Sequence, residues 1–332
     1  MVTTQMPLPE QTIIRGSRGD LLRDAWSYYE SFLAALPETF ARVARTVITR
    51  RGIRERFTAG LHFPSWFGEA FMGQSEEYLR SLTLGNLYLY LYVVIMDDQI
   101  DDHLNQSQGA AIVADLHLAE SLRTLQELSG DKDFFSNEFQ IMRMAWFEHD
   151  RDLVEQYKTR GHETPPVESY AKRCAILKAS GLVLASRDRD SGTWAMLSRA
   201  YDLTAIANTF ADDLTDWKED VRSGHRTYLV SMALSESRSC LHHDLSSLSE
   251  KEMALRIYRS SAVGESLEHA LRFIEEAKSL FESCGAHSWF GFVAEMESNI
   301  TDVIEGWQEV RDRPAEDIFE FDGSLKTKFC GT

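Results

Sequence analysis

No proline interrupts the chain between Pro64 and Pro165, or between Pro166 and Pro314. Runs of that length, rich in Leu, Ala, Glu and Arg, favour long helices, because these side chains lose little freedom in a helix and no pyrrolidine ring breaks the hydrogen-bond ladder. No alternation of apolar and polar residues bounded by turn signals breaks them up, so the expected fold is an all-α, single-domain bundle. Helical spacing is expected from Leu21 to Leu36, from Glu38 to about Arg51, from Ser75 to about Asn105, from Gly109 to Leu128 and from Asp133 to Lys158. A helix from Val167 to Arg187 would follow, with Thr164 as N-cap and Pro165 in the first turn, where proline costs least. Further helices are expected over Thr193–Arg222 and Tyr228–Ser237. A Ser249/Glu252 capping box opens another that runs to about Ser283, and the last spans His287 to Arg313 before Pro314. Residues 1–19 read as a disordered lead and 20–332 as one helical domain.

Composition narrows the function. An apolar share of 43% is enough for a substantial core, and a net charge of −17 argues against a nucleic-acid partner. The longest apolar run, Leu87 to Met96, is about half of what a membrane span needs, and Met1 to Glu10 lacks the pattern of a secretory signal. Cys174, Cys240, Cys284 and Cys330 are widely spaced and read as free thiols. The expectation is a soluble, cytoplasmic protein without an integral membrane segment, and a homodimer is left open.

Two acidic clusters stand out. Asp212, Asp216 and Asp220 recur at i, i+4 and i+8, which is one stripe of a helix, and like charges stacked in this way repel unless a cation sits against them. Far upstream, Asp97-Asp98-Gln99-Ile100-Asp101-Asp102 puts Asp97 over Asp101 and Asp98 over Asp102. Both clusters emerge from apolar segments, so a plain solvated face is a poor explanation. Two facing stripes would form an oxygen-only cage for Mg²⁺, or Mn²⁺, since no thiolate or imidazole accompanies them. Such a cage at the mouth of an apolar bundle would grip a diphosphate and promote C–O cleavage.

Asp97 to Asp101 resembles the DDxxD motif of class I isoprenoid synthases, and Asp212 to Asp220 resembles the second metal motif of terpene synthases. Asp stands here where that motif commonly has Asn, Ser or Thr, and Glu. The run Asp216 to Asp220, followed by Gly224, Arg226, Tyr228 and Leu229, is also similar to a squalene and phytoene synthase pattern. The resemblance implies a class I terpene synthase that ionises a prenyl diphosphate, farnesyl first and geranylgeranyl second, and cyclises the cation. A squalene- or phytoene-type head-to-head prenyltransferase is the alternative, and a helical metal- or diphosphate-binding scaffold the non-enzymatic one.

The resemblance assigns the metal to Asp97, Asp98, Asp101, Asp212, Asp216 and Asp220. It implies diphosphate contacts from Arg173, followed by Gly181 at a helix break, with Lys178, Arg226 and Tyr228 as further candidates. Arg311 stands for the first member of a C-terminal Arg-Tyr pair, although Asp312 replaces the tyrosine. Tyr90, Phe67 and Trp307 are candidate pocket walls, for which ordinary core packing is the competing explanation. The Gly-Gly-Lys-Arg-type motif of chain-elongating prenyl synthases is absent, and Arg50-Arg51-Gly52-Ile53-Arg54 is a weak substitute.

Overall fold

The chain folds into helices throughout the residues that the structure, a computed structural model, describes: 19–54, 59–71, 73–101, 109–159, 166–235 and 248–330, with the backbone only at 19–20, 100–101, 153–159, 223 and 326–330. The elements are α1 (Gly19–Ala35), α2 (Glu38–Arg50), α3 (Ala59–Ala70), α4 (Glu76–Asp101), α5 (Ala110–Leu128), α6 (Lys132–Thr159) and α7 (Ser169–Lys172). A 3-10 turn, Ala175–Lys178, leads into α8 (Ala179–Asp188), α9 (Ser191–Ser223), α10 (Tyr228–Ser235), α11 (Glu250–Arg259), α12 (Ala262–Cys284), α13 (His287–Val310) and α14 (Ala315–Cys330). No strand occurs among the described residues. Two helices organise the rest: α4 packs on α5, α1 and α3, and α9 packs on α12, α10, α7, α8 and α14. Both carry an acidic cluster at their C-terminal ends.

Residues 19–101 illustrate how local chemistry sets these elements. Pro37 closes α1 and precedes α2, as expected. Pro64, by contrast, lies inside α3, where it has no N–H to give to the carbonyl of Gly60. The side chain of Asn86 on α4 supplies that donor, its Nδ2 lying 2.8 Å from the Gly60 oxygen, in a site where Asn86 is buried. Asn86→Ala should therefore lower stability by about 1–3 kcal/mol, the cost of an unsatisfied buried carbonyl, measured as a shift of the denaturant midpoint. By length and composition, Glu76–Gln99 could cross a membrane, although Leu87 to Met96 alone is too short; in the fold 67% of its most apolar window is buried among the other helices.

His117 on α5 bonds two elements in one tautomer. Its Nδ1 lies 2.6 Å from the Val113 carbonyl, which can only accept, so Nδ1 carries the proton and Nε2 accepts from the Tyr29 hydroxyl at 2.8 Å. Burial lowers its pKa to about 4 from 6.5. The folded state thus binds fewer protons than the unfolded chain between these values, and stability falls as pH drops from 6.5 toward 4. The contribution approaches about 3 kcal/mol at the acid end. His117→Gln, which can hydrogen-bond without titrating, should remove this share of the decline in urea titrations at several pH values.

Three expectations are corrected. The segment from Val167 to Arg187 is not one helix: α7 is a single turn, the 3-10 turn follows, and only then does α8 begin. Thr164 and Pro165 lie outside the described residues, as do 1–18 of the proposed lead and Cys240. The helix opened by Ser249 does form its capping box in both directions, but it stops at Ser260, whose extended backbone separates α11 from α12. Beyond Pro314 the chain continues as α14 rather than ending its helical structure.

Candidate functional site

α9 begins where Asp190 caps it, accepting from the Thr193 N–H at 2.9 Å, and it ends at Gly224, whose left-handed φ of 82° lets the chain turn back. The N–H of His225 then reaches the Asp220 carbonyl at 2.8 Å and that of Gly224 reaches Val221 at 3.2 Å, a Schellman closure. The turn sets His225 Nδ1 3.2 Å from Asp220 Oδ1. No motif flagged this histidine, although a residue directly after a C-terminal glycine is placed to fold over the last turn.

The stripe itself is largely sealed from water. Asp212, Asp213 and Asp220 are 6%, 5% and 1% exposed, while Asp216 is half-buried. Burial pushes the Asp212 carboxyl well above the carboxylate range, Arg173 opposes the shift, and Asp216 and Asp220 add to it. Asp213 is raised by burial and then by Asp220, and its Oδ2 is buried without a hydrogen-bond partner. Asn208 donates to Asp212 Oδ2 at 3.1 Å, and the Thr215 hydroxyl lies 3.3 Å from Asp216 Oδ1.

Arg173 ends α7, just before the 3-10 turn. Burial alone would lower its pKa, yet the carboxylates of Asp212, Asp97 and Asp213 raise it above its already high usual value. Asp97 belongs to α4 and the other two to α9, so one guanidinium answers both acidic clusters. The adjacent Cys174 thiol is pushed up to about 11 by burial, with Asp97, Asp212 and Asp150 contributing. Tyr170 stands one helical turn before Cys174; its hydroxyl accepts the Tyr228 N–H at 3.0 Å, and its pKa is raised by burial and then by Asp213. Asp213, Tyr170, Asp150 and His225 thus join the assigned residues in this neighbourhood.

Other assigned residues take different places. Asp98 is gripped by Arg50 and Arg51, the latter placing its Nε 2.7 Å from Oδ1, so its carboxylate is matched by protein cations. Arg51 also approaches Asp97 Oδ2 at 3.9 Å. The side chain of Asp101 lies outside the described residues. Lys178 is buried, with Nζ 3.0 Å from Ser198 Oγ and 2.9 Å from Asp202 Oδ1. Asp202 is about 15 Å along α9 from Asp212 at 1.5 Å per residue, so Lys178 is held in an ion pair away from the stripe.

Arg226 is buried beyond His225, whereas the Tyr228 ring packs edge-on to Phe210 at 5.2 Å and near His269. Arg311 lies over the Trp307 ring at 5.4 Å, with Nε 3.7 Å from Asp312. Trp307 fits against Gly264 and donates to the Tyr258 carbonyl at 2.8 Å. Phe67 is wholly buried against Tyr201 and Trp289, and Tyr90 against Gly60. Gly181 does not mark the break; it lies within α8, where a Cβ would meet the Phe67 ring at 2.7 Å.

No family model matches the sequence, and no curated protein matches it. Solved structures do. A geranylgeranyl pyrophosphate synthetase from the archaeon Geoglobus acetivorans superposes with a TM-score of 0.68 at 17% identity, over 85% of this chain and 99% of that one. The fold is that of the isoprenoid synthases. A geranylgeranyl pyrophosphate synthase from Corynebacterium glutamicum gives 0.63 at 15% identity, over 88% and 96% of the two chains. A geranylgeranyl pyrophosphate synthase from Corynebacterium glutamicum complexed with calcium and isoprenyl diphosphate gives 0.61 at 15% identity, over 87% and 99%.

Within this isoprenoid synthase fold the residues suit a hard cation by donor chemistry. The donors are carboxylate oxygens, mutually repelling along α9, and beside them lies Asp213 Oδ2, a buried oxygen without a hydrogen bond. Among the described residues, no three His, Cys, Asp or Glu side chains are already gathered to hold a metal ion.

Proposed function

We propose that the protein ionises an allylic prenyl diphosphate and cyclises the resulting cation, as a class I terpene synthase. The observation that supports the proposal is that carboxylates of both acidic clusters, Asp212 and Asp213 on α9 and Asp97 on α4, act electrostatically on the one guanidinium of Arg173. A cation placed between two acidic clusters can turn to an anionic leaving group once divalent metal neutralises the carboxylates. Asp97, Asp212, Asp216 and Asp220 would hold Mg²⁺, which supplies charge to the leaving oxygens. Arg173 would take a diphosphate oxygen, with Arg226 as a further candidate. The buried aromatic and aliphatic side chains of α4 and α9 would wall the cation off from water. Farnesyl diphosphate is the first substrate to test and geranylgeranyl diphosphate the second.

One observation favours a second reading, synthesis of a longer prenyl diphosphate. Arg50 and Arg51 stand beside the first acidic cluster, where they could serve a second diphosphate, and the solved structures reported above as similar are geranylgeranyl pyrophosphate synthases. Purified protein with Mg²⁺ and each prenyl diphosphate, with and without isopentenyl diphosphate, separates the readings. C15 or C20 hydrocarbons or alcohols from a single substrate support cyclisation. A longer diphosphate formed only with isopentenyl diphosphate supports elongation, C30 or C40 products support head-to-head condensation, and no diphosphate release from any substrate leaves a binding scaffold.

A further inference from the structure

Behind the acidic stripe, on the side of α9 that faces α11 and α14, a single carboxylate collects three donors. Asp322 on α14 is 8% exposed; its Oδ1 accepts from Trp217 Nε1 at 3.0 Å and from the Tyr258 hydroxyl at 2.8 Å, and its Oδ2 pairs with Lys218 Nζ at 2.5 Å. Trp217 and Tyr258 are wholly buried. Trp217 and Lys218 lie between Asp216 and Asp220 in sequence, and at about 100° per residue Lys218 points roughly opposite to the stripe. The last two turns of α9 cannot rotate about their axis without pulling Trp217 and Lys218 off Asp322.

We propose that Asp322 is a positioning residue, through which the C-terminal helix α14 fixes the rotation of the second acidic stripe and so the aim of Asp216 and Asp220 at a bound divalent cation. A buried carboxylate with three directional donors defines an orientation more narrowly than the apolar contacts of Ile318, Phe321 and Leu325 on the same helix, because hydrogen bonds weaken steeply with angle whereas apolar packing does not. The inference rests on the metal role proposed for the stripe, but Asp322 itself touches neither metal nor substrate in it.

The test reads metal binding directly. Mn²⁺ binding in the presence of inorganic diphosphate, followed by loss of the free-ion paramagnetic resonance signal, is compared for wild type, Asp322→Asn, Asp322→Ala and Lys218→Met, alongside thermal midpoints. Asp322→Asn keeps acceptor and shape while losing the pair with Lys218. The expected result is a rise of threefold or more in the Mn²⁺ dissociation constant for Asp322→Asn, tenfold or more for Asp322→Ala, and a smaller rise for Lys218→Met. The same order should appear in the Mg²⁺ concentration giving half-maximal turnover, with kcat at saturating Mg²⁺ within about twofold of wild type for the Asn variant. Folded variants that bind Mn²⁺ as tightly as wild type would overturn the positioning role while leaving the stripe's metal role intact. Wild type that binds no Mn²⁺ with diphosphate would instead overturn the metal reading and this inference with it. If Asp322→Ala fails to fold, the Asn and Met variants decide.

Discussion

Asp216→Ala is expected to lower diphosphate release from a prenyl diphosphate by about a thousandfold or more, in line with the loss of a group that stabilises charge on a leaving oxygen. Folding should not suffer. Asp216 is the half-buried middle member of the stripe, and its charge raises the pKa of both Asp212 and Asp220. Removing it relieves repulsion and installs the best helix former, so the thermal midpoint should stay level or rise. Asp97→Ala on α4 should give the same kinetic loss, since the proposed grip needs both helices. Phosphate-release assays with Mg²⁺ and circular-dichroism melting check both parts. Full turnover in both variants would remove the metal role from the stripes.

Arg173→Met should act on stability and activity together. It leaves Asp212 and Asp213 buried without the cation that opposes their pKa shifts, which costs about 3 kcal/mol, at the low end for a broken buried pair because the guanidinium is only half-buried. The sign with pH is definite. Both carboxyls have folded pKa values raised above the unfolded 3.8, so the folded variant gains from protonation at low pH and loses that gain as pH rises. The gap between wild type and variant in urea titrations should therefore widen as pH rises through the raised range in which the buried carboxyls lose their protons, above the unfolded 3.8. Arg173→Lys should recover much of the stability, because it restores a charge, and less of the turnover, because an ammonium cannot make the two-pronged contact of a guanidinium. A pH-independent gap would mean that Arg173 is not the counter-charge of Asp212 and Asp213.

Much of the helical layout was legible. Pro37, the Ser129-Gly130-Asp131 turn, Asp190 and Gly224 bound elements within a few residues of where they fall, because prolines, caps and left-handed glycines act locally. The breaks that were missed have tertiary causes. Nothing in Arg173-Cys174-Ala175-Ile176 is a helix breaker by type; the 3-10 turn is held by the Tyr201 hydroxyl, which donates to the Cys174 carbonyl at 3.0 Å from α9. Ser260 and Ser261 carried only a weak signal. Similarly, no spacing rule could pair Arg50 and Arg51 with Asp98, since that contact depends on how α2 meets α4. Lys178 looked suitable by its position after Arg173. The 3-10 turn changes the angle per residue, and the side chain points to Asp202 instead.

That same interruption has an architectural consequence. An unbroken helix transmits every twist along its length, so altering its buried end re-aims its catalytic end. Here Arg173 sits on the far side of a joint from α8, whose buried residues Leu182, Val183 and Leu184 shape the interior of the bundle. Core side chains of α8 can therefore be exchanged, by selection or by an engineer, while Arg173 beyond the joint keeps its orientation toward the two acidic clusters.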